Sequence, residues 1–156
     1  MSAERILIDG RSGSGKSDLA RAMTAGWPEA QLVRLDDIYP GWDGLEAGSA
    51  HVAQHVLSAR PRWRRWDWVT GRPAEWHELD ADRPIIVEGC GALSRANRAL
   101  ADWAIWVELD DATRKQRALD RDGEAYAPHW ERWAAQELLF IERENPRALA
   151  DEVLYR

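Results

Sequence analysis

"IDGRSGSGKS", residues 8–17, is a glycine-rich run that follows a short apolar stretch and ends in lysine and serine. Its spacing, Gly10-x-x-x-x-Gly15-Lys16-Ser17, is that of a phosphate-binding loop (P-loop), which needs a strand before it and a helix after it. Both flanks qualify. "RILID" (5–9) reads as a buried strand, and "KSDLARAMTAG" (16–26) sets Leu19, Ala20 and Met23 at helical spacing and stops at Gly26 before Pro28. Physically, the run Gly10, Arg11, Ser12, Gly13, Ser14, Gly15 can turn successive N–H groups toward one point, where the helix N-terminus adds partial positive charge. Lys16 then reaches the β- and γ-phosphates of a nucleotide, Ser17 ligates Mg²⁺, and Asp18 completes the candidate nucleotide-binding set. The plainer alternative is a glycine-rich turn capping a helix beside a chance Lys-Ser pair.

Working outward, strand and helix signals alternate. "AQLVRLD" (30–36) is a second strand, followed by a turn-rich run and a helix over roughly 47–59. "RPIIVEG" (83–89) is a third strand, "SRANRALA" a short helix with Ser94 as cap, and "WAIWVELD" (103–110) a fourth strand. Helices follow over 111–123 and 128–145, and "EVLYR" is a last strand. Such alternation implies βαβ units: an α/β fold with a parallel sheet of about five strands, helices on both faces and a small lid. The whole chain, 1–156, reads as one domain; 60–80, aromatic and basic with Gly71 and Pro73, is an irregular insertion or short hairpin, and 111–127 is the lid region.

Composition narrows the class. A length of 156 residues with 45% hydrophobic content suits one compact domain, and a net charge of −6 repels a nucleic-acid backbone or an anionic membrane. The lone Cys90 excludes an internal disulfide, and no Cys/His cluster has zinc spacing. With neither an apolar leader in the first ten residues nor a membrane-length apolar run, the expectation is a soluble, cytoplasmic protein.

Two further constellations bear on chemistry. "RLDDIY" sets Asp36 and Asp37 at the carboxyl end of the second strand, where open α/β sheets bind ligands. A carboxylate there can accept the proton of an attacking hydroxyl and help hold Mg²⁺, although one of the pair could equally be a helix cap. "IIVEG" puts Glu88 at the end of the third strand, where a carboxylate orients Mg²⁺ and its waters, or is simply solvated. In "DDATRKQRALDRDG", Arg114, Arg117 and Arg121 share one helical face. Turned to the site they would neutralise a transferring phosphoryl group; otherwise they pair with the aspartates around them.

In order, "GRSGSGKS", "LDDIY", "WDWVTGR", "IIVEG" and "DDATRKQRALDRDG" resemble the layout of uridine kinases and the related phosphoribulokinase and pantothenate kinase group, over roughly residues 5–122. The resemblance implies transfer of the γ-phosphate of ATP, with Mg²⁺, to a hydroxyl of a small molecule, a nucleoside among the candidates. It implies Asp36 as base or Mg²⁺ partner, Trp66, Asp67 and Trp68 along the acceptor pocket, and lid arginines Arg114, Arg117 and Arg121 on phosphates and acceptor. Asp37, Tyr39, Trp42 and Arg72 join the candidate acceptor side, with Asp43 the candidate for gripping sugar hydroxyls. The chain departs from the family at Gly71, which stands where uridine kinases carry a base-reading histidine. The alternative function is a P-loop ATPase or nucleotide-binding module without small-molecule kinase activity.

Ten tryptophans are a compositional oddity. Trp42, Trp63, Trp66, Trp68 and Trp76 crowd the segments expected to face the acceptor, where indoles suit a ring-bearing molecule or simply hold the insertion together. Trp103, Trp106, Trp130 and Trp133 are expected in the core, the four histidines on the surface or in loops, and Cys90 as a small apolar residue beside the P-loop.

Overall fold

The structure, a computed structural model, describes residues 3–156. Its first strand, β1 (Arg5–Gly10), is buried on both faces, as a near-continuous apolar run demands. Strand alternation sends Leu7 one way and Ile6 and Ile8 the other. Leu7 joins a cluster with Leu45, Val52, Trp133 and Phe140, whereas Ile6 and Ile8 pack with Ala20, Leu19 and Met23. Each such fully buried aliphatic side chain is stabilised by about 1.5–3 kcal/mol relative to exposure. The strand is thus the middle of three layers.

The remaining strands of the sheet are β2 (Gln31–Arg34), β5 (Ile85–Glu88), β6 (Trp103–Glu108) and β7 (Glu152–Tyr155), with β3 (Arg62–Asp67) and β4 (Arg72–Glu78) forming a separate antiparallel hairpin. Sheet order is β2-β5-β1-β6-β7, and every pairing is parallel, with Leu7 opposite Val87 on one side and Ala104 on the other. The five-stranded parallel sheet read from the sequence is therefore present. β1 lies between β5 and β6, so the loops leaving β1 and β5 sit side by side at the carboxyl edge.

Helices α1 (Lys16–Ala25), α4 (Asp111–Asp122) and α5 (Trp130–Glu144) lie within a residue or two of their sequence-expected ranges. α3 (Arg95–Arg98) opens on Ser94, whose Oγ accepts the Asn97 N–H at 3.0 Å, so the expected cap is confirmed. α6 (Pro146–Leu149) follows Asn145, which takes the left-handed conformation at the end of α5.

Three expectations are corrected. The second strand ends at Arg34, because Leu35–Asp37 closes a 3₁₀ turn in which the Ile38 and Tyr39 N–H groups both donate to the Leu35 carbonyl at 2.9 Å. The helix expected over 47–59 begins earlier, as α2 (Leu45–His51), and continues as a π-turn over Val52–Val56. Trp103 opens β6 at 45% exposure and is not in the core, unlike Trp106, Trp130 and Trp133. Among the described residues, no helix is long and apolar enough to cross a membrane.

Candidate active site

Between β1 and α1 the chain passes through Gly13 and Gly15, both at positive φ (80° and 98°), which glycine adopts at no steric cost. Gly13 also has no room for a side chain, since a Cβ there would stand 2.0 Å from the Arg114 carbonyl oxygen. The loop is thereby wedged against α4. Lys16 lies back over it, Nζ donating to the Arg11 carbonyl at 3.4 Å. Burial alone would lower the Lys16 pKa, but the Cys90 sulfur and the carboxylates of Glu88, Asp36 and Glu137 reverse that, and the net shift is upward. Lys16 stays a cation.

Next to Lys16, Ser17 Oγ donates to Glu88 Oε1 at 3.0 Å, which brings two of the three Mg²⁺ candidates together across the β1–β5 register; the third, Asp36, lines the same cleft as both. Ser17 and Glu88 are hard oxygen donors beside a phosphate loop, a set that fits Mg²⁺ carried on a nucleotide. The carboxylate is almost wholly buried and is held by Arg34, whose Nε donates to Oε1 at 3.1 Å. Among the described residues, no group of three or more His, Cys, Asp or Glu could hold a metal ion alone, so phosphate oxygens would have to complete the sphere.

Two clefts flank this point. One, of about 460 Å³, has Tyr39, Trp42, Trp68, Tyr126 and Trp133 for walls and is also lined by Asp36 and Glu88. The other, of about 750 Å³, is lined by Gly13, Gly15, Asp18, Arg21, Arg117, Asp120 and Arg156. Lys16, Ser17 and Arg121 line both. A group bound on the cationic side would thus reach one bound on the aromatic side only past these three residues.

Asp36 reaches the aromatic cleft because the 3₁₀ turn lifts it off the strand; it pairs weakly with Arg34 at 3.4 Å and its side chain stays exposed. The Trp68 indole N–H donates to the Asp36 carbonyl at 2.9 Å, and its ring lies 5.3 Å from that of Trp42, so the hairpin tip leans on the cleft. Trp42 is itself stacked on His129 at 4.4 Å. Tyr39 is buried, its hydroxyl donating to the Cys90 carbonyl at 2.7 Å, and it lines the cleft. Asp37 is half-buried, its pKa raised by burial against the opposing pull of Arg34, and it does not line the cleft.

Several candidates are placed elsewhere. Arg114 is buried behind the loop, its guanidinium donating to the Ser12 carbonyl (3.1 Å) and to Asp111 (2.6 Å), so only Arg117 and Arg121 of the three face a cleft. Pairing with a loop carbonyl and an i−3 aspartate outweighs shared helical spacing here. Asp43 is exposed and tied to Arg132 of α5 by two hydrogen bonds. Trp66 lines a third cleft with His51, His55 and Trp76, whereas Trp68 lies past the end of β3, in the turn, where strand alternation no longer ties it to the face of Trp66. Arg72 stands exposed at the start of β4 and lines none of these clefts. His51 and His55, expected on the surface or in loops, lie half-buried on the α2 helical segment and the π-turn that continues it.

Sequence reasoning passed over three polar groups at the site. The Asp9 carboxylate, 2% exposed, accepts the N–H groups of Gly10, Gly91 and Leu93 and so joins the two loops at the carboxyl edge. Burial pushes its pKa up to about 7 against those hydrogen bonds and the pull of Lys16. Glu137 and Tyr126 both grip Ser12. Asp9 was visible as an acid ending an apolar strand; the other two lie more than a hundred residues from Ser12, with no local signal. Cys90 is buried beside the loop as expected, burial pushing its thiol up to about 12.

No protein-family model and no curated protein matches the chain by sequence. Solved structures of P-loop small-molecule kinases do match its fold. A protein described as a possible uridine kinase from Bacillus stearothermophilus aligns over 99% of this chain and 89% of its own, with a TM-score of 0.65 and 21% identity. A shikimate kinase from Acinetobacter baumannii aligns over 97% and 83% (TM-score 0.57, 15% identity), and a gluconokinase from Sinorhizobium meliloti 1021 over 97% and 81% (TM-score 0.56, 18% identity). The chain has the fold these kinases share, as the P-loop and its flanks implied.

Proposed function

We propose that the protein transfers the γ-phosphate of ATP to a hydroxyl of a ring-bearing small molecule. The observation that carries this reading is the junction of a cationic cleft and an aromatic cleft at Lys16, Ser17 and Arg121, with a carboxylate, Asp36, on the aromatic side. Gly10 to Ser17 hold the donor phosphates, with Arg117 beside them. Ser17 and Glu88 would hold the Mg²⁺ that the nucleotide brings, and that ion would offset negative charge on the phosphates. Asp36 accepts the acceptor's hydroxyl proton as that oxygen bonds to the γ-phosphorus and the β–γ bridging bond breaks, releasing ADP. Lys16 and Arg121 neutralise charge spreading over the phosphoryl group in flight.

The aromatic walls support a planar or sugar-bearing acceptor, a nucleoside in the first instance, since indole and phenol faces stack on both. On this reading hairpin β3–β4 is the acceptor-side insertion and α4 with the following turns is the lid. The test is a panel of nucleosides, sugars, pantothenate-like alcohols and shikimate-like polyols incubated with ATP and Mg²⁺, read by ADP release and by product mass. A nucleoside gaining one phosphate is the expected result. ATP hydrolysis with no phosphorylated product across the panel rejects the kinase reading in favour of an ATPase.

A further inference from the structure

Glu137 sits at 3% exposure on the inward face of α5, among Trp130, Trp133 and Phe140. A carboxylate in such surroundings persists only with partners. It accepts the Ser12 backbone N–H at 2.8 Å, Arg11 Nε at 3.2 Å and the Cys90 thiol at 3.2 Å. From Ser12 the contacts continue: its carbonyl accepts from Arg114, Arg114 donates to Asp111 Oδ1, and that oxygen lies 3.7 Å from Arg11 Nη1. The circuit therefore closes on itself, Glu137 to Ser12 to Arg114 to Asp111 to Arg11 and back to Glu137. Tyr126 adds a tie from outside, its hydroxyl donating to Ser12 Oγ at 2.7 Å.

We propose that Glu137 is a positioning residue for the P-loop, acting through this ring and never touching the nucleotide. The Ser12 residue is held at both ends, its N–H by α5 and its carbonyl by α4, so the turn that directs the following N–H groups is set before any phosphate arrives. Preorganised donors bind an anion without the cost of ordering them. The ring also explains why an acid is tolerated so near the phosphates: Arg11 and Arg114 hold its charge and that of Asp111. Neither Glu137 nor Asp111 lines either of the clefts that meet at Lys16, so both act at a distance through Arg11 and Ser12.

This inference rests on the reading that the loop binds a nucleoside triphosphate, and the test separates the two. Binding of ATP with Mg²⁺ is titrated calorimetrically on the wild-type chain, Glu137→Gln, Asp111→Asn, the double variant, and Arg143→Gln as a control that cuts the α5 tie to Glu46 away from the loop. Loss of one charged hydrogen-bond partner should weaken binding about tenfold in Glu137→Gln. Asp111→Asn should cost roughly threefold, and the double variant should bind no more weakly than Glu137→Gln, since members of one network are non-additive. Arg143→Gln should lower the melting temperature and leave ATP affinity alone. A folded Glu137→Gln that binds ATP like the wild-type chain, or single effects that multiply in the double variant, overturns the ring. A wild-type chain that binds no nucleoside triphosphate overturns the donor reading itself. If Glu137→Gln does not fold, Arg11→Ala cuts the same circuit at a partly exposed residue and carries the same tenfold expectation.

Discussion

The two clefts beside Lys16 are made of opposite materials. One is walled by tyrosine and tryptophan, the other by glycine, aspartate and four arginines, and they share a lysine, a serine and one of those arginines. The cationic cleft is built around one continuous stretch, the loop and the start of α1, and is closed by one face of α4 and by Arg156. The aromatic cleft draws on the 3₁₀ turn, the hairpin tip, the turns after α4 and the first turn of α5, which lie far apart in the chain. A polyphosphate is recognised by closely spaced N–H groups and charges that one turn of backbone supplies. A ring needs walls on several sides, and only tertiary packing brings those together.

That contrast can be broken by experiment. Lys16→Ala removes the cation both clefts share and should reduce transfer by about a thousandfold or more with the fold intact, measured as phosphorylated product per unit of folded protein. Asp36→Asn should cost about 10²–10⁴ in kcat while ATP affinity holds, and full activity in that variant would remove Asp36 as the base. Trp68→Ala, which deletes an aromatic wall and the tie to the Asp36 carbonyl, should raise the acceptor KM about tenfold and leave the ATP KM within twofold. Arg117→Ala should do the reverse, raising the ATP KM several-fold with the acceptor KM unmoved. If both substitutions moved both KM values equally, the clefts would not be separate donor and acceptor sites.

The smallest effect concerns the base of the hairpin. His51 Nε2 accepts the Arg64 N–H at 3.1 Å, and burial, with His55 and Arg62 nearby, pushes its pKa from 6.5 to about 4. A folded-state pKa below the unfolded one means this contribution is present above pH 6.5 and is lost as pH falls toward 4. Asp9 runs the other way: its raised pKa makes its contribution full below 3.8 and lost as pH rises through about 7. The melting-temperature gap between the wild-type chain and His51→Gln isolates the first. It should favour wild type near neutrality and close on acidification, and a gap independent of pH would show that the imidazole does not anchor the hairpin.

Legibility follows the same division. β1, the P-loop and α1 were readable because strand, turn and helix signals are local and adjacent. Ser17 and Glu88 were each readable as Mg²⁺ candidates, one from the loop's spacing and one from its place at a strand end, but that β5 lies beside β1 and brings them within a hydrogen bond was not. Asp36 was readable as an acid near that edge, but not its escape from β2 into a 3₁₀ turn, which depends on Leu35 burying against Gly89. Trp66 and Trp68, quoted together as one segment, part company because β3 ends between them: Trp66 is held in the strand and Trp68 sits in the turn. Arg114 was placed with the nucleotide by helical spacing and by the family resemblance, while its burial behind Ser12 and its pairing with Asp111, the alternative the spacing left open, are facts of packing.

From the sequence alone came the P-loop, the strand–helix alternation that implies a parallel sheet around it, and an acid at the end of a third strand. These rest on backbone periodicity and on residues within a few positions of one another. The tertiary structure alone decided which tryptophans wall the second cleft, which arginines line the first, and that Glu137, 125 positions beyond Ser12, holds the loop from behind. Those outcomes depend on distances between residues the chain keeps far apart, and no local pattern encodes a distance of that kind.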